Sequence, residues 1–371
     1  MRIERVEQFL IDMPLKRPFE TSFGREEGIH RLIVAVYAGG IVGYGESPVE
    51  LLPLYSPETA ETCWHVQRDA LIPLLLRAEL EHPTEVPAVF RPVRGHPMAK
   101  AGLEAAVWDL AARQAGAPVA RLLGGTRKRV ESGVSIGIQP SVEALLERID
   151  AYRAEGYRRI KVKIRPGWDY DVLAAVRRRF PDVPLMADAN SAYTPADAPL
   201  LRQFDVFELL MLEQPLAYDD LLDHAALQHG MNTPLCLDES ITAPGRAREA
   251  LELGSCRIIN IKPARVGGLT AARAIHDLCQ ARGVPVWCGG MLETGIGRAH
   301  NLAVASLPNF TLPGDISASD RYWHQDIVEP PFVLNPDGTM DVPQGAGIGV
   351  EVRRDRLEAV TVQRAVYPRD G

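Results

Sequence analysis

Residues 158–190, RRIKVKIRPGWDYDVLAAVRRRFPDVPLMADAN, contain the pattern that decides the fold. A short apolar run at Arg159–Ile164 is followed by an amphipathic run at Asp169–Phe180 and a second apolar run at Pro184–Ala187. A strand of roughly four to eight residues followed by a helix of roughly ten to fifteen predicts a βα unit of a parallel sheet. We therefore interpret this stretch as strand, helix, strand.

The same alternation continues on both sides of this stretch. The other apolar runs are Gly133–Ile138, Leu209–Leu212, Pro234–Leu237, Arg257–Ile261, Val284–Cys288 and Phe310–Pro313. The other helical patterns are Ser141–Glu155, Thr194–Phe204, Ala243–Leu253 and Leu269–Arg282. Eight strands with this cadence predict the α/β class and a TIM-type (β/α)7β barrel. The alternative is a doubly wound fold, but no glycine-rich phosphate turn follows the first strand.

The first 125 residues have a different pattern. Leu32–Tyr37 and Gly40–Glu46 predict a hairpin, and helices are expected at Glu58–Leu76 and Met98–Gly116. We predict an α+β domain at residues 1–125, the barrel at residues 126–320, and a C-terminal segment at residues 321–371 that packs back on the first domain.

Composition limits the classes of function. The chain has 371 residues, 46% hydrophobic and 24% charged, which is ordinary for a soluble globular protein. Its net charge of −7 is spread along the sequence, which argues against a nucleic-acid partner. The sequence contains no run of about 18 apolar residues, so no membrane span is predicted. Five cysteines without paired spacing argue against disulfides and structural zinc, so we expect a cytoplasmic protein. We also expect a homo-oligomer.

Lysine is scarce in this chain, since only six of its 41 lysine and arginine residues are lysines. The six are Lys16, Lys100, Lys128, Lys161, Lys163 and Lys262. A lysine that is buried or close to another cation can act as a general base near neutral pH, whereas an arginine cannot lose its proton. The lysines alone leave two interpretations equally open, which are proton transfer and ordinary positions at strand ends.

Five consecutive predicted strands each end in one polar residue. These residues are Lys163, Asp188, Glu213, Asp238 and Lys262, spaced by 25, 25, 25 and 24 residues. One βα unit separates each from the next, so all five should lie at the C-terminal mouth of the barrel, where active sites of this fold are found.

The three carboxylates among them predict a metal site. Asp188, Glu213 and Asp238 would repel one another unless a cation held them. Oxygen ligands without His or Cys favour Mg²⁺, with Mn²⁺ tolerated. The alternative is that these side chains cap helices or form salt bridges with arginines.

The lysines predict proton abstraction next to a substrate carboxylate. Lys163 and Lys262 would face each other across the metal, which would stabilise the resulting enediolate. Lys161 and Lys163 project to the same face of their strand and lower each other's pKa. This favours Lys163 as the base, with Lys161 as an electrostatic partner.

Five motifs resemble those of the enolase superfamily, in its muconate-lactonising-enzyme subgroup. They are Lys161-Val-Lys163, Asp188-Ala-Asn190, Glu213-Gln-Pro215, Asp238-Glu-Ser240 and Ile261-Lys262-Pro263. The resemblance covers nearly the whole chain and implies that the α+β domain caps the barrel. A lysine base with an Mg²⁺-stabilised enediolate is the general chemistry of that superfamily.

Three longer stretches are similar to the o-succinylbenzoate synthase/N-acylamino acid racemase branch, at Lys163–Asp169, Gly289–His300 and Ser306–Asp315. The resemblance implies a carbon–oxygen lyase of menaquinone biosynthesis, which dehydrates 2-succinyl-6-hydroxy-2,4-cyclohexadiene-1-carboxylate and also racemises N-acylamino or N-succinylamino acids. One alternative is a racemase as the main role. Another is a non-catalytic carboxylate-binding relative, which the complete Lys/Asp/Glu/Asp/Lys set disfavours.

The same resemblance implies a set of substrate contacts. A mobile loop near Phe19–Gly24 would close the site, and the substrate residues would be Phe19, Phe23, Tyr55, Ser135, Asn190, Gly290, Met291 and Ile316. Each aromatic residue could equally belong to the core between the domains. Arg265 resembles an arginine found in members with racemase activity and, with Glu239, is expected to modulate the catalytic groups. The alternative for Arg265 is a salt bridge without a role in selectivity.

Overall fold

Seven parallel strands form the central sheet, in which each strand pairs with its neighbours in chain order. Barrel strands one to seven are Val134–Ile136, Ile160–Lys163, Leu185–Asp188, Leu212–Glu213, Leu235–Leu237, Ile258–Ile261 and Val286–Cys288. The structure is a computed structural model that describes residues 1–369. The predicted α/β class with a curled parallel sheet is confirmed.

Helices connect the barrel strands and cover the outside of the sheet. They are Val142–Glu155, Tyr170–Arg179, Ala198–Gln203, Leu222–His229, Pro244–Leu253, Leu269–Ala281 and Gly295–Ala305. Local sequence sets their ends: the Ser141 side chain accepts a hydrogen bond from the backbone of Ala144, and Gly156 ends that helix at a φ of 102°. No helix was predicted at Leu222–His229 or Gly295–Ala305. Every residue of Gly295–Ala305 is buried, including the polar Arg298, His300 and Asn301.

The predicted eighth strand, Phe310–Pro313, is not a regular strand. The chain closes the barrel there through separate hydrogen bonds, from Gly133 N to Gly314 O at 2.7 Å and from Asp315 N to Cys288 O at 2.9 Å. The proline that ends the run has no N–H with which to complete a ladder. This irregular segment joins barrel strand seven to barrel strand one and brings Asp315 to the mouth of the barrel.

A four-stranded antiparallel sheet forms the second layer of the molecule. Its strands, in spatial order, are Thr361–Pro368, Arg5–Glu20, Arg25–Ala38 and Ile41–Ser47. The predicted hairpin is present, because Leu32 pairs with Ser47 and Ala38 pairs with Ile41. The last strand pairs with the first, so both ends of the described chain lie in one sheet. The proposed domain boundaries stay predictions.

Helices of the N-terminal part pack on this sheet. They are Ala60–Val66, the π-helical turn Gln67–Leu71, Ile72–Arg77, the short Val86–Val89, Pro97–Gln114 and Val119–Leu123. Pro97–Gln114 approaches the strand Ile41–Ser47 so closely that a Cβ on Gly45 would overlap the carbonyl oxygen of Gly102. Within residues 1–369, no helix combines the length and the apolar character that a membrane crossing requires.

We expect the substitution Gly45→Ala to lower the melting temperature by roughly 1–4 °C, because overpacking a close contact costs about 1–3 kcal/mol. Differential scanning calorimetry measures this. Gly245→Ala is the matched control, since a Cβ at that helical glycine meets no atom within 4 Å and should leave stability unchanged or slightly higher. Equal melting temperatures for the two variants would contradict the packing argument.

Candidate active site

The five residues at the predicted strand ends lie together at the mouth of the barrel. Lys163, Asp188 and Glu213 are the last residues of barrel strands two, three and four, and Asp238 and Lys262 directly follow strands five and six. The strands pair in register, with Lys163 beside Asp188 and Asp188 beside Glu213. All five side chains are buried, and none of these residues is more than 6% exposed.

Lys161 and Lys163 have different surroundings although they share one strand. Lys163 Nζ donates to Asp188 Oδ2 at 2.7 Å and to Asn190 Oδ1 at 2.5 Å. Lys161 Nζ lies 2.5 Å from Asp315 Oδ2, 3.0 Å from Glu213 Oε2 and 3.1 Å from Asp188 Oδ2. Lys161 thus has three carboxylate partners, whereas Lys163 has one.

This difference separates the two lysines electrostatically. Burial lowers the pKa of Lys163, and the charge of Lys161 acts in the same direction while Asp188 opposes it. Burial also acts to lower the pKa of Lys161, but the charges of Asp315, Glu213 and Asp188 outweigh it and raise that pKa. Of the two, Lys163 is the one that more readily loses its proton.

Lys262 faces the cavity from barrel strand six. Its Nζ donates to Asp238 Oδ2 at 2.8 Å and to the Tyr55 hydroxyl at 3.0 Å, and lies 4.4 Å from the centre of the Tyr55 ring. Burial acts to lower the pKa of Lys262, but Tyr55, Glu213 and Glu239 together raise it. These contacts favour the charged form of Lys262.

Arg265 and Glu239, the two residues expected to modulate the site, both contact its charged groups. The Arg265 guanidinium forms an ion pair with Asp238 Oδ1 and donates to the carbonyl of Ile241 at 2.8 Å. Glu239 Oε1 accepts a hydrogen bond from Asn190 Nδ2 at 2.9 Å, while its Oε2 is buried without a hydrogen-bond partner. Burial and the charge of Asp188 raise the pKa of Glu239 to about 7.

Asp188 and Glu213 form a closely spaced acidic pair. Burial acts to raise the pKa of Asp188, but Lys163 and Lys161 outweigh it and lower that pKa. Burial and the charge of Asp188 raise the pKa of Glu213, although Asn260 Nδ2 donates to Glu213 Oε1 at 2.7 Å. Burial and Asp188 thus disfavour a second negative charge at Glu213.

The carboxylates do not form a ready-made metal cluster. Within residues 1–369, no three His, Cys, Asp or Glu side chains are arranged to hold an ion. Lysine ammonium groups lie against these oxygens instead, with Lys161 against Asp188 and Glu213. The donors nevertheless fit a hard divalent cation, because they are all oxygens and because Glu239 Oε2 is buried without a hydrogen-bond partner. A cation would replace lysine contacts there.

A cavity of about 660 Å³, including its open mouth, lies between the antiparallel sheet and the mouth of the barrel. Lys161, Lys163 and Lys262 line it. Seven of the eight predicted substrate residues line it as well: Phe19, Phe23, Tyr55, Ser135, Asn190, Gly290 and Met291. The Ser135 hydroxyl is buried without a hydrogen-bond partner, so it is available to a ligand.

Ile316 does not line this cavity, and its contact with the substrate stays a prediction. Its side chain belongs to the main hydrophobic core and borders a different cavity, near Arg127 and Phe310. Its carbonyl oxygen accepts a hydrogen bond from Ser132 Oγ at 2.7 Å, which fixes the backbone in that orientation. The irregular eighth segment changes the direction of this side chain.

The aromatic residues combine both of the expected roles. Phe19 packs against the main core and Phe23 against the core of the antiparallel sheet, and both also border the cavity. The turn between them is closed by a 2.8 Å hydrogen bond from Thr21 N to Gly24 O, and Ser22 Oγ donates to the carbonyl of Asn190 at 3.2 Å. The turn thus contacts the barrel, while its mobility stays a prediction.

Several residues of the site were not selected from the sequence. Asp315 could have been found, because it follows the eighth apolar run as Asp238 follows the fifth. Arg159 is the first residue of the predicted strand Arg159–Ile164, and no feature of the sequence marked it as part of the site. Other residues that line the cavity come from the antiparallel sheet and the loops, where no spacing rule applies: Thr21, Glu26, Arg31, Glu50, Leu292 and Tyr322.

Comparisons with known proteins cover nearly the whole chain. The model described as "Enolase C-terminal domain-like" matches residues 144–356, and that of the mandelate racemase/muconate lactonizing enzyme N-terminal domain matches residues 5–124. The o-succinylbenzoate synthase of Geobacillus kaustophilus is 56% identical over 95% of this chain and 94% of its own. The N-succinylamino acid racemase of Thermus thermophilus is 49% identical over 98% of both chains. The solved structure of an enolase-superfamily member from Listeria innocua has a TM-score of 0.96 and 41% identity over 100% of both chains.

Proposed function

The chain belongs to the enolase superfamily, in its mandelate racemase/muconate lactonizing enzyme group, and from this premise we propose that it is a divalent-metal-dependent o-succinylbenzoate synthase. The reaction removes water from 2-succinyl-6-hydroxy-2,4-cyclohexadiene-1-carboxylate and belongs to menaquinone biosynthesis. One observation carries the proposal: Lys163 and Lys262 border one cavity from strands two and six, beside three strand-end carboxylates. The 56% identity to a synthase supports it.

The metal site that we propose consists of Asp188, Glu213 and Asp238. A divalent cation, Mg²⁺ with Mn²⁺ tolerated, would supply fixed positive charge beside the substrate carboxylate when bound there. Glu239, next to Asp238 in the chain, has a buried oxygen without a hydrogen-bond partner, which is a further oxygen donor for a cation.

Lys163 acts as the base in the proposed mechanism. Its Nζ takes the α-proton, and the C–H electrons are delocalised onto the substrate carboxylate. Lys163 then gives this proton to the hydroxyl on the neighbouring carbon as the C–O bond breaks, the delocalised electrons form the new C=C bond, and water departs. The contacts with Asp188 and Asn190 fix the position of Nζ for this transfer.

Lys262 stabilises the negative charge that develops on the substrate carboxylate after the proton is removed. Its hydrogen bonds with Asp238 and Tyr55 hold the ammonium group at the opposite side of the cavity from Lys163. Phe19 and Phe23 reduce access of water from the capping side, which strengthens each electrostatic contact inside.

The electrostatics of the mouth support the same assignment of roles. Five buried cationic groups, Arg159, Lys161, Lys163, Lys262 and Arg265, lie there with five buried acidic ones, Asp188, Glu213, Asp238, Glu239 and Asp315, and Arg31, Glu26 and Glu50 line the same cavity. Among the three lysines of the mouth, Lys163 is the one whose pKa is lowered, so it accepts a proton most readily.

Racemisation of N-acylamino acids, including N-succinylamino acids, is the second function that we propose for this site. It requires one proton donor and one proton acceptor on opposite faces of the α-carbon, which Lys262 and Lys163 provide. Arg265 forms an ion pair with Oδ1 of Asp238, and Lys262 forms one with Oδ2, so the two cations share this carboxylate. The 49% identity to a racemase supports this activity.

We also propose that the enzyme works as a homo-oligomer in the cytoplasm on small carboxylate substrates. Light scattering on the purified protein tests the oligomer, and a mass equal to one chain would exclude it.

We expect Lys163→Ala to lower kcat for dehydration by at least about 10³-fold, because it removes the base. Steady-state turnover of the cyclohexadiene carboxylate measures this, and loss of optical activity measures racemisation of an N-succinylamino acid. Lys128→Ala, at an exposed lysine far from the mouth, is the control and should keep both activities. Dehydration that persists in Lys163→Ala would exclude this residue as the base.

Removal of divalent metal with a chelator should abolish both activities, and added Mg²⁺ or Mn²⁺ should restore them. Glu213→Gln should weaken Mg²⁺ binding by roughly 10–100-fold in calorimetry, because one charged ligand is lost. Asp69→Asn, at an exposed carboxylate, is the control. Full turnover by protein stripped of metal would contradict the proposed metal site.

A further inference from the structure

Asp315 is the carboxylate nearest to Lys161, and it is not one of the proposed metal ligands. Its Oδ2 lies 2.5 Å from Lys161 Nζ, whereas Glu213 and Asp188 lie at 3.0 and 3.1 Å. Lys161 therefore has one partner outside the metal site and two inside it. A divalent cation bound by Asp188 and Glu213 would displace Lys161 from both of these carboxylates.

Asp315 is held firmly in its place. Arg159 Nη1 donates to Asp315 Oδ1 at 2.7 Å, and Arg159 Nη2 donates to the Pro313 carbonyl at 2.9 Å. Arg159 has no exposed surface, and its guanidinium passes so close to Gly133 that a Cβ there would lie 2.6 Å from it. The backbone N–H of Asp315 is also bonded to Cys288 O. Each carboxylate oxygen of Asp315 is thus paired with one cationic side chain, Oδ1 with Arg159 and Oδ2 with Lys161.

We propose that Asp315, anchored by Arg159, is a positioning residue that retains Lys161 when a divalent cation takes Asp188 and Glu213. A buried ammonium group without a carboxylate partner is strongly disfavoured, so Lys161 must keep at least one. With Asp315 present, Lys161 can give up the other two without moving away from its strand. Without Asp315, Lys161 has only the metal ligands as partners and competes with the cation for them.

This role explains why the lysine contacts and the proposed metal site can share the same carboxylates. It rests on the proposed function only in that Asp188 and Glu213 bind the metal, and it does not depend on which substrate is turned over. The substitution Glu213→Gln tests that premise separately, so failure of the metal site and failure of the Asp315 role give different results.

The test is a double-mutant cycle in Mg²⁺ and Mn²⁺ affinity, measured by calorimetry without substrate. Asp315→Asn should raise the Kd for Mg²⁺ by roughly 10-fold or more, within the usual range of coupling between sites. In the Lys161→Met background, the same substitution should change Kd by less than about 3-fold, because the competing ammonium group is gone. Asp315→Glu, which keeps the carboxylate, should restore affinity in the presence of Lys161.

Asp326→Asn is the control for loss of a buried carboxylate, since Asp326 pairs with Ser319 and Arg298 away from the mouth. It should leave the Kd for Mg²⁺ unchanged. An unchanged Kd in Asp315→Asn would overturn the proposal. So would an equal loss with and without Lys161, since this would indicate a general charge effect of Asp315 rather than retention of the lysine.

A crystal structure of the unsubstituted protein with Mg²⁺ tests the role even if Asp315→Asn does not fold. Lys161 Nζ should stay within hydrogen-bond distance of Asp315 and lie farther than about 4 Å from the ligand oxygens of Asp188 and Glu213. Lys161 found against either metal ligand, with its contact to Asp315 broken, would contradict the proposal.

Discussion

The site depends on one constraint, which is that ten ionisable groups are buried together and must compensate one another. None of the ten residues is more than 8% exposed. Removing one partner of such a pair leaves an unpaired buried charge, which typically costs about 3–5 kcal/mol. The equal spacing of the barrel strands satisfies this constraint, because it places lysines and carboxylates on adjacent strand ends, where Lys163 pairs with Asp188 and Lys262 with Asp238. The antiparallel sheet then covers the cavity from the opposite side.

Unequal surroundings give chemically similar lysines different roles. Lys161 is surrounded by carboxylates and keeps its proton, while burial and the charge of Lys161 lower the pKa of Lys163. Lys262 is stabilised as a cation between Asp238 and Tyr55. The proposed roles therefore follow from contacts: Lys163 is the base, Lys262 stabilises charge and Lys161 is the retained cation. A divalent cation can bind at the proposed site only if some of the contacts between lysines and carboxylates are broken.

The site residues that lie at the ends of regular strands could be predicted from the sequence. A βα unit of constant length fixes the interval between strand ends, so Lys163, Asp188 and Glu213 could be brought together without coordinates. The prediction was incomplete where the regularity ends: the eighth segment is not a strand, and Asp315, which was not selected, is part of the charge network. The helix Gly295–Ala305 was also missed, and its polar residues Arg298, His300 and Asn301 are buried with the rest of the helix.

The proposed mechanism requires that Lys163 and Lys262 act on opposite faces of a carbon next to a bound carboxylate. Exchange of the α-hydrogen in D₂O, followed by proton NMR on each enantiomer of an N-succinylamino acid, measures this. We expect the unsubstituted enzyme to exchange both enantiomers and Lys163→Ala to exchange only the one whose hydrogen faces Lys262. Exchange of both enantiomers at unchanged rates in Lys163→Ala would exclude Lys163 as one of the two acting groups.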